Sequence, residues 1–256
     1  VPIGQESGCR IFKLERCLLL GSGSRRMTMT ELVPAMRKTI FNSAADVIGD
    51  YAEIGIDAVL ESDALKAIPV VGTISAVCKV GYNLHERNLI KQTIEFLRGF
   101  NEKKLDQAVI DKHRVKLEAN PVEAEKELER VIILLGNHIE NQQSIVLGSF
   151  YSAYVRGAIS WEKFCELAEV NRRMFVNDYE ILQKVYENDG MRLEGRELYP
   201  IDRLISLGLL QLRNRLGGVE IQSFDAPLVE KPDVIITSLG KTFCQHFPDT
   251  VISVKL

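Results

Sequence analysis

Apolar side chains recur at three- and four-residue steps along most of this chain, and that spacing restricts its fold more than any other feature. In residues 84–100 the apolar face consists of Leu89, Ile90, Ile94, Phe96, Leu97 and Phe100. Such a pattern predicts an amphipathic helix that buries one face. The same spacing recurs in residues 31–61, 121–141 and 161–175. The sequence therefore predicts a mainly α protein.

The composition is that of a globular protein. The chain has 256 residues, of which 46% are hydrophobic and 26% are charged. This length suits one large or two modest domains with a substantial core. The formal net charge is −3, which provides no general attraction for nucleic acid or for an acidic membrane. A local basic face is still compatible with that charge.

Cysteine and histidine are scattered and form no recognisable metal motif. The chain has five cysteines without a C-x-x-C pair and four histidines without an H-x-x-x-H pair. We therefore expect no metal site, no disulfide framework and no cofactor. Free thiols fit a reducing compartment, so a cytoplasmic location is expected.

The first residues differ in character from the rest. The chain begins with Val1 and carries the sequence GSGS at residues 21–24, a flexible tetrapeptide typical of a linker. We expect residues 1–26 to be an extension foreign to the native protein. A secretory signal is the competing interpretation, but charged residues interrupt its apolar core: Lys13, Glu15 and Arg16.

Two structural regions are expected after this extension: a helical domain over residues 27–170 and a smaller domain over 171–256. In the second, two predicted helices precede β-rich runs at 209–213 and 233–238, and a final helix follows. This order resembles a winged-helix domain. The predicted fold is thus a mainly α helical bundle followed by a C-terminal winged-helix-like α/β domain.

A winged helix often binds DNA through its second helix. The arginines available for such contact are Arg192, Arg196, Arg203, Arg213 and Arg215. Three acids lie among these five arginines between residues 190 and 217, so the net charge of the segment is only +2. Because affinity for phosphates depends on several neutralised contacts, a solvated protein-binding surface is the simpler interpretation. DNA binding stays an alternative.

Residues 67–84, AIPVVGTISAVCKVGYNL, raise the question of a membrane. The uninterrupted uncharged run covers twelve residues, 67–78, whereas a spanning helix needs about 20. A buried helix of the bundle is therefore favoured. Small residues and a proline are the candidates for helix packing or membrane contact: Pro69, Gly72, Ala76 and Gly81. The phrase IPVVGT also resembles hairpin-inserting segments of polymorphic toxins, which keeps membrane disruption through residues 64–84 as an alternative.

No catalytic motif is present. The chain lacks a nucleophile elbow, a P-loop, a dinucleotide fingerprint and a zinc-protease motif. The acids between Glu123 and Glu129 predict a charged helix surface, and Cys165 is expected in the core. His85 with Glu86, and His138 with Glu140, are interpreted as surface neighbours. We therefore expect a non-enzymatic protein.

The order of these phrases resembles a group of uncharacterised bacterial proteins. The segments that carry the resemblance are IPVVGT, NLIKQTIEFL, FYSAYVRGAISWEKF, LISLGLL and ITSLGKTF. The chain is also loosely similar to abortive-infection alpha proteins, which join a helical region to a winged-helix-like C-terminus. This resemblance implies a bacterial cytoplasmic protein linked to phage defence. A protein partner or self-association is the expected mode of action.

Overall fold

The computed structural model describes residues 28–41, 62–77, 84–213 and 233–248. Their fold is mainly α, with a small two-stranded antiparallel sheet near the C-terminus. Several predictions lie outside the described residues, namely those for residues 1–26, residues 42–61, Gly81 and Arg215.

The helices and strands follow one another in short steps. The helices are α1 (Met29–Phe41), α2 (Asp63–Lys66), α3 (Pro69–Val77), α4 (Leu84–Glu102), α5 (Gln107–Ala119), α6 (Pro121–Asn137), α7 (Asn141–Val155), α8 (Trp161–Arg172), α9 (Val176–Glu187), α10 (Tyr199–Ser206) and α11 (Ser238–Gln245). The strands are β1 (Leu210–Leu212) and β2 (Val234–Ile236). The helix predicted to end near Asn141 instead ends at Asn137, because the chain turns there into α7.

Helices α4 and α7 form the centre of the fold. The hydroxyl of Ser144 on α7 donates to Oε1 of Gln92 on α4 at 2.7 Å. Further along both helices, the rings of Tyr151 and Phe100 lie 5.9 Å apart. Residues later in α4 contact residues later in α7, so the two helices run parallel. Every residue of α7 from Gln143 to Val155 is buried, so this short aromatic helix is the core of the protein.

Glycine lets the two central helices touch backbone to backbone. A Cβ on Gly148 would lie 2.7 Å from the amide nitrogen of Phe100 and closer still to the carbonyl oxygen of Phe96. A Cβ on Gly99 would lie 2.9 Å from Cα of Ile145. Real Cβ atoms do not approach so closely, so only glycine permits this crossing.

Parallel packing places both helix N-termini at one end and both C-termini at the other. Each helix carries partial positive charge at its N-terminus and partial negative charge at its C-terminus. Glu86 lies in the first turn of α4, and Glu140 directly precedes α7. Lys103 follows α4, and Arg156 follows α7. These charges offset the unfavourable alignment of two like dipoles.

One apolar face of the described part of residues 67–84 packs in the interior. Val70, Val71 and Ile74 are buried, and α3 lies against α1. The backbone N–H of Val70, which has no partner inside its own helix, donates to Oγ1 of Thr39 on α1 at 3.0 Å. The burial of Val70, Val71 and Ile74 agrees with the length argument, which favoured a buried helix over a spanning one. Among the described residues, none of the helices has the length and hydropathy needed to cross a bilayer.

The C-terminal elements form a hairpin closed by a helix. Strands β1 and β2 are antiparallel, with Leu210 opposite Ile236, and Met191 forms an isolated bridge to Val234. Thr237 caps α11 by accepting from the amide of Gly240 at 3.0 Å. A Cβ on Gly240 would collide with the β1–β2 hairpin, 2.7 Å from Cγ1 of Ile236. The glycine of the LGKTF phrase thus serves close packing.

The core is continuous from the helical part into the C-terminal elements. The rings of Phe150 on α7 and Phe243 on α11 meet edge to face with centroids 4.9 Å apart. Nearby, the hydroxyl of Ser149 donates to the carbonyl oxygen of His246 at 2.7 Å. The two predicted regions therefore share one hydrophobic interior.

Candidate functional site: an apolar surface around Arg203

The site begins with the local structure at the start of α9. Phe175 precedes the helix, and its backbone N–H donates to Oδ2 of Asp178 at 2.8 Å. Asp178 lies in the first helical turn, where a carboxylate is favoured by the helix dipole and by free backbone amides. This arrangement buries the Asp178 side chain completely, with 0% exposed.

A buried carboxylate needs a cation, and Arg203 of α10 supplies it. The guanidinium Nε donates to Oδ2 of Asp178 at 2.7 Å, and a second guanidinium nitrogen donates to Oδ1. Two parallel hydrogen bonds of this kind fix the plane of an arginine as well as its position. The pairing raises the pKa of Arg203 through the hydrogen bonds to Asp178, so its charge is permanently held.

Two exposed aromatic rings flank this guanidinium. The Cζ atom of Arg203 lies 4.5 Å from the ring centroid of Phe175 and 5.7 Å from that of Tyr199. Both distances fall within the range of cation–π attraction. Phe175 is nevertheless 61% exposed and Tyr199 is 62% exposed. The rings are thus positioned by Arg203 from below while their outer faces remain open to solvent.

Further apolar side chains extend the patch. Val176 adjoins Phe175 and Leu198 adjoins Tyr199, and both are exposed. Across the start of α7, Oε1 of Gln143 accepts from the amide of Ile139 at 3.2 Å, while its Nε2 donates to the carbonyl oxygen of Met174 at 3.2 Å. Ile139 is 80% exposed. We call this set the Arg203 surface, and its exposed apolar members are Ile139, Phe175, Val176, Leu198 and Tyr199.

The arginines predicted for DNA contact have different roles in the structure. Arg203 is paired with Asp178 and lies beneath the two rings. Arg192 forms an ion pair with Glu194 at 3.7 Å. Arg196 and Arg213 are exposed, and Arg215 lies outside the described residues. Two of these five arginines are therefore neutralised within the chain.

The small residues predicted for packing or membrane contact are also placed separately. Pro69 begins α3, as expected of a first-turn proline. A Cβ on Gly72 would meet the carbonyl oxygen of Lys66, the last residue of α2, so this glycine serves the close approach of α2 and α3. Ala76 is exposed, and Gly81 lies outside the described residues.

A buried polar cluster corrects one expectation. Glu127, predicted on a charged helix surface, is only 6% exposed because α6 turns it toward α5 and α7. Its carboxylate accepts from the hydroxyls of Tyr151 and Tyr154 at 2.6 and 2.8 Å, and lies 3.1 Å from Nε2 of His113. Burial by itself would raise the pKa of Glu127, but the hydrogen bonds from His113, Tyr151 and Tyr154 outweigh it, so the pKa lies below its ordinary value. This cluster joins three helices.

A second buried network corrects the assignment of His138 to the surface. His138 is 1% exposed, because it lies where α6 passes into α7. Its Nδ1 is 2.8 Å from the hydroxyl of Ser144, which itself donates to Gln92. Burial, reinforced by the positive charge of Arg172, lowers the pKa of His138 to about 4. Glu86, also predicted at the surface, is buried at 4% exposure.

These two networks are interior features. Their titratable side chains are all buried, so a substrate has no direct access to them in this conformation: His113, Glu127, His138, Tyr151 and Tyr154. Among the described residues, no three His, Cys, Asp or Glu side chains converge as a metal site would require. Cys165, predicted in the core, is half-buried, and burial raises the pKa of its thiol.

Sequence reasoning did not identify the Arg203 surface. Its aromatic members stand just before or at the first position of a helix, outside the apolar stripe that periodicity detects. A large aromatic residue at such a position is the one signal that was available. Compared with protein-family models, curated proteins and solved structures, the chain matches none of them.

Proposed function

We propose that this protein is a non-enzymatic interaction or regulatory protein of a bacterium, acting in phage defence by binding a partner protein. The observation that carries the proposal is the Arg203 surface, where five large apolar side chains are exposed together. Contiguous exposed apolar patches on globular proteins usually mark interaction sites. Tyrosine, arginine and other aromatic residues are also the types that dominate binding energy in interfaces.

The geometry of the surface favours binding without large rearrangement. Arg203 is held by two hydrogen bonds to a buried carboxylate, and it contacts both Phe175 and Tyr199. Rings fixed in this way lose little conformational freedom when a partner covers them. Such preorganisation lowers the entropic cost of association.

The C-terminal elements support a winged-helix-like arrangement as part of this proposal. Two helices, a two-stranded hairpin and a closing helix follow in the expected order. Between the two helices, Met191 forms an isolated antiparallel bridge to Val234 of the hairpin. In this proposal the winged-helix-like part, residues 171–256, presents four of the five apolar side chains of the surface, all except Ile139. The cytoplasm is the expected location.

DNA binding and membrane disruption are less well supported. Arg203 and Arg192 are engaged by Asp178 and Glu194, which leaves fewer cations for phosphates than the sequence offers. The large apolar side chains of α3 that the structure describes, Val70, Val71 and Ile74, are buried, and α3 packs against α1. A duplex titration and a liposome dye-release assay are therefore expected to give flat responses.

A site-specific photo-crosslinker tests the proposal. With benzoylphenylalanine at Val176, cells under phage challenge should yield a discrete protein adduct. The double substitution Phe175→Ser and Tyr199→Ser should abolish both this adduct and protection against phage. Val115 and Val122 are as exposed as these rings, at 64% and 62%, and Val115→Ser with Val122→Ser is the matched control. Full protection by the Phe175→Ser and Tyr199→Ser variant would refute the proposal.

A further inference from the structure

We infer that the Arg203 surface binds a cationic, apolar segment of its partner, such as one face of a helix bearing leucine-type and lysine-type side chains. The inference rests on the proposed function, because it names the chemistry of the ligand at the same surface. Three features of the structure lead to it: the neutralised arginine, the exposed carboxylates around the patch, and the disposition of the neighbouring cations.

The positive charge of Arg203 at the centre of the surface is already balanced by a carboxylate of the same chain. The Arg203 guanidinium is paired with the fully buried carboxylate of Asp178, and its nitrogens Nε and Nη2 donate to that group. An acidic ligand would have to compete with a pre-formed two-bond ion pair. Arg203 therefore positions Phe175 and Tyr199 instead of attracting an anion.

Exposed carboxylates border the apolar side chains. Glu140 adjoins Ile139, and Glu197 adjoins Leu198 in the chain. Asp202 is four residues after Leu198, so it lies one turn further along the same side of α10. All three carboxylates are exposed. They are placed to meet cations flanking an apolar ligand.

Two of the neighbouring cations form ion pairs with a carboxylate of the same chain. Arg172 and Arg173, which precede Phe175, both bind Oε1 of Glu169, at 2.7 and 3.0 Å. Arg196, which is exposed, is the one cation of this border for which the structure gives no carboxylate among the described residues. Because Arg172 and Arg173 share one carboxylate, one of their charges is unbalanced. Three exposed carboxylates therefore face two positive charges, and the remaining negative charge favours a positively charged ligand.

The same border disfavours two other occupants. In a symmetric dimer built on this surface the patch would face its own copy. The acidic border formed by Glu140, Glu197 and Asp202 would then meet an equally acidic border on the second molecule, which is repulsive. A nucleic-acid backbone would meet the same carboxylates with its phosphates. A basic peptide segment meets neither obstacle.

Two synthetic helical peptides provide the probe. Both have fourteen residues and the same leucine face, but one carries lysine and the other glutamate at the polar positions. In a fluorescence-anisotropy titration we expect the leucine–lysine peptide to bind about tenfold more tightly than the leucine–glutamate peptide. Glu140→Gln, Glu197→Gln and Asp202→Asn together should remove most of that difference and flatten its salt dependence.

Protein variants locate the binding. Phe175→Ser with Tyr199→Ser should weaken the leucine–lysine peptide by about tenfold or more, whereas Val115→Ser with Val122→Ser should leave it unchanged. Because the ring substitutions also remove support for Arg203, Ile139→Ser provides a second test away from the ion pair. It should weaken binding severalfold without lowering thermal stability.

The outcomes separate this inference from the proposed function. Equal affinity for the two peptides, or lysine-peptide binding that survives the ring substitutions, overturns the inference. If the photo-crosslinked adduct persists in that case, the surface still binds a partner, but one of different chemistry. A dimer in sedimentation that dissociates on ring substitution would also overturn the inference, because the occupant would then be a second copy.

Discussion

Replacing Gly148 with alanine should destabilise this protein, although the same change usually stabilises a helix. The added Cβ would lie 2.7 Å from the amide nitrogen of Phe100 and 3.0 Å from the carbonyl carbon of Phe96. Both atoms belong to the backbone of α4 and have no side-chain freedom with which to move aside. Helices α4 and α7 must therefore separate by about 1 Å where they cross, since ordinary carbon contacts are about 3.5–4.0 Å.

The magnitude follows from two opposing terms. Alanine in place of a helical glycine gains about 1 kcal/mol from backbone entropy. Overpacking a well-packed core costs about 1–3 kcal/mol and more when backbone must shift, and α7 is buried from Gln143 to Val155. Because the steric conflict is with rigid backbone, the upper part of that range applies. The free energy of unfolding should fall by about 2 kcal/mol in total.

Gly136 on α6 offers the matched control. A Cβ there has His85 as its nearest neighbour, at an ordinary 3.8 Å, so Gly136→Ala should stabilise by up to about 1 kcal/mol. Urea unfolding followed by circular dichroism measures both variants. A Gly148→Ala protein as stable as wild type would refute the backbone contact between α4 and α7. Equal destabilisation by Gly136→Ala would show that the loss does not come from that contact.

Three other substitutions probe the buried polar groups by urea unfolding. His138 is held neutral in the folded state with a pKa of about 4, so only the unfolded chain gains a proton on this residue as the pH falls below about 6.5. The free energy of unfolding should therefore drop by about 2 kcal/mol between pH 7.5 and pH 5. His138→Asn should remove most of that pH dependence, and an unchanged pH dependence would contradict the assignment. Arg203→Met should cost about 3 kcal/mol by leaving the buried carboxylate of Asp178 unpaired, and adding Asp178→Asn should recover part of the loss, whereas no recovery would mean that the pair is not the cause. Glu127→Gln should cost about 2 kcal/mol, because the two tyrosine hydroxyls donate to different carboxylate oxygens and glutamine keeps an acceptor at only one of those positions. An unchanged midpoint would show that this cluster is not formed.

Much of the local structure could be predicted from the sequence. The six apolar residues assigned to one face of residues 84–100 are all buried in α4. Ser160 caps α8 by accepting from the amide of Lys163, and Thr237 caps α11. These features depend on residues three or four positions apart, whose relative placement is set once a helix forms.

The polar interior could not be predicted in the same way. Glu127 lies among alternating acids that suit a solvated helix face, yet hydroxyls from α7 bring it into the core. His138 is buried through Ser144 and Gln92, which lie on two other helices. Burial of a polar residue depends on hydrogen-bond partners that are distant in the chain, and the sequence of one helix does not indicate which partners these are.

The sequence by itself determined that the chain is mainly helical, which faces of those helices are apolar, and that residues 67–78 are too short to span a bilayer. Only the tertiary structure decided that α4 and α7 run parallel in backbone contact and that Phe175 and Tyr199 face solvent on either side of Arg203. The physical reason is the separation along the chain of the residues that interact. Helix periodicity is a property of neighbouring residues, whereas exposure of an aromatic ring and neutralisation of an arginine depend on which distant segments the whole fold brings together.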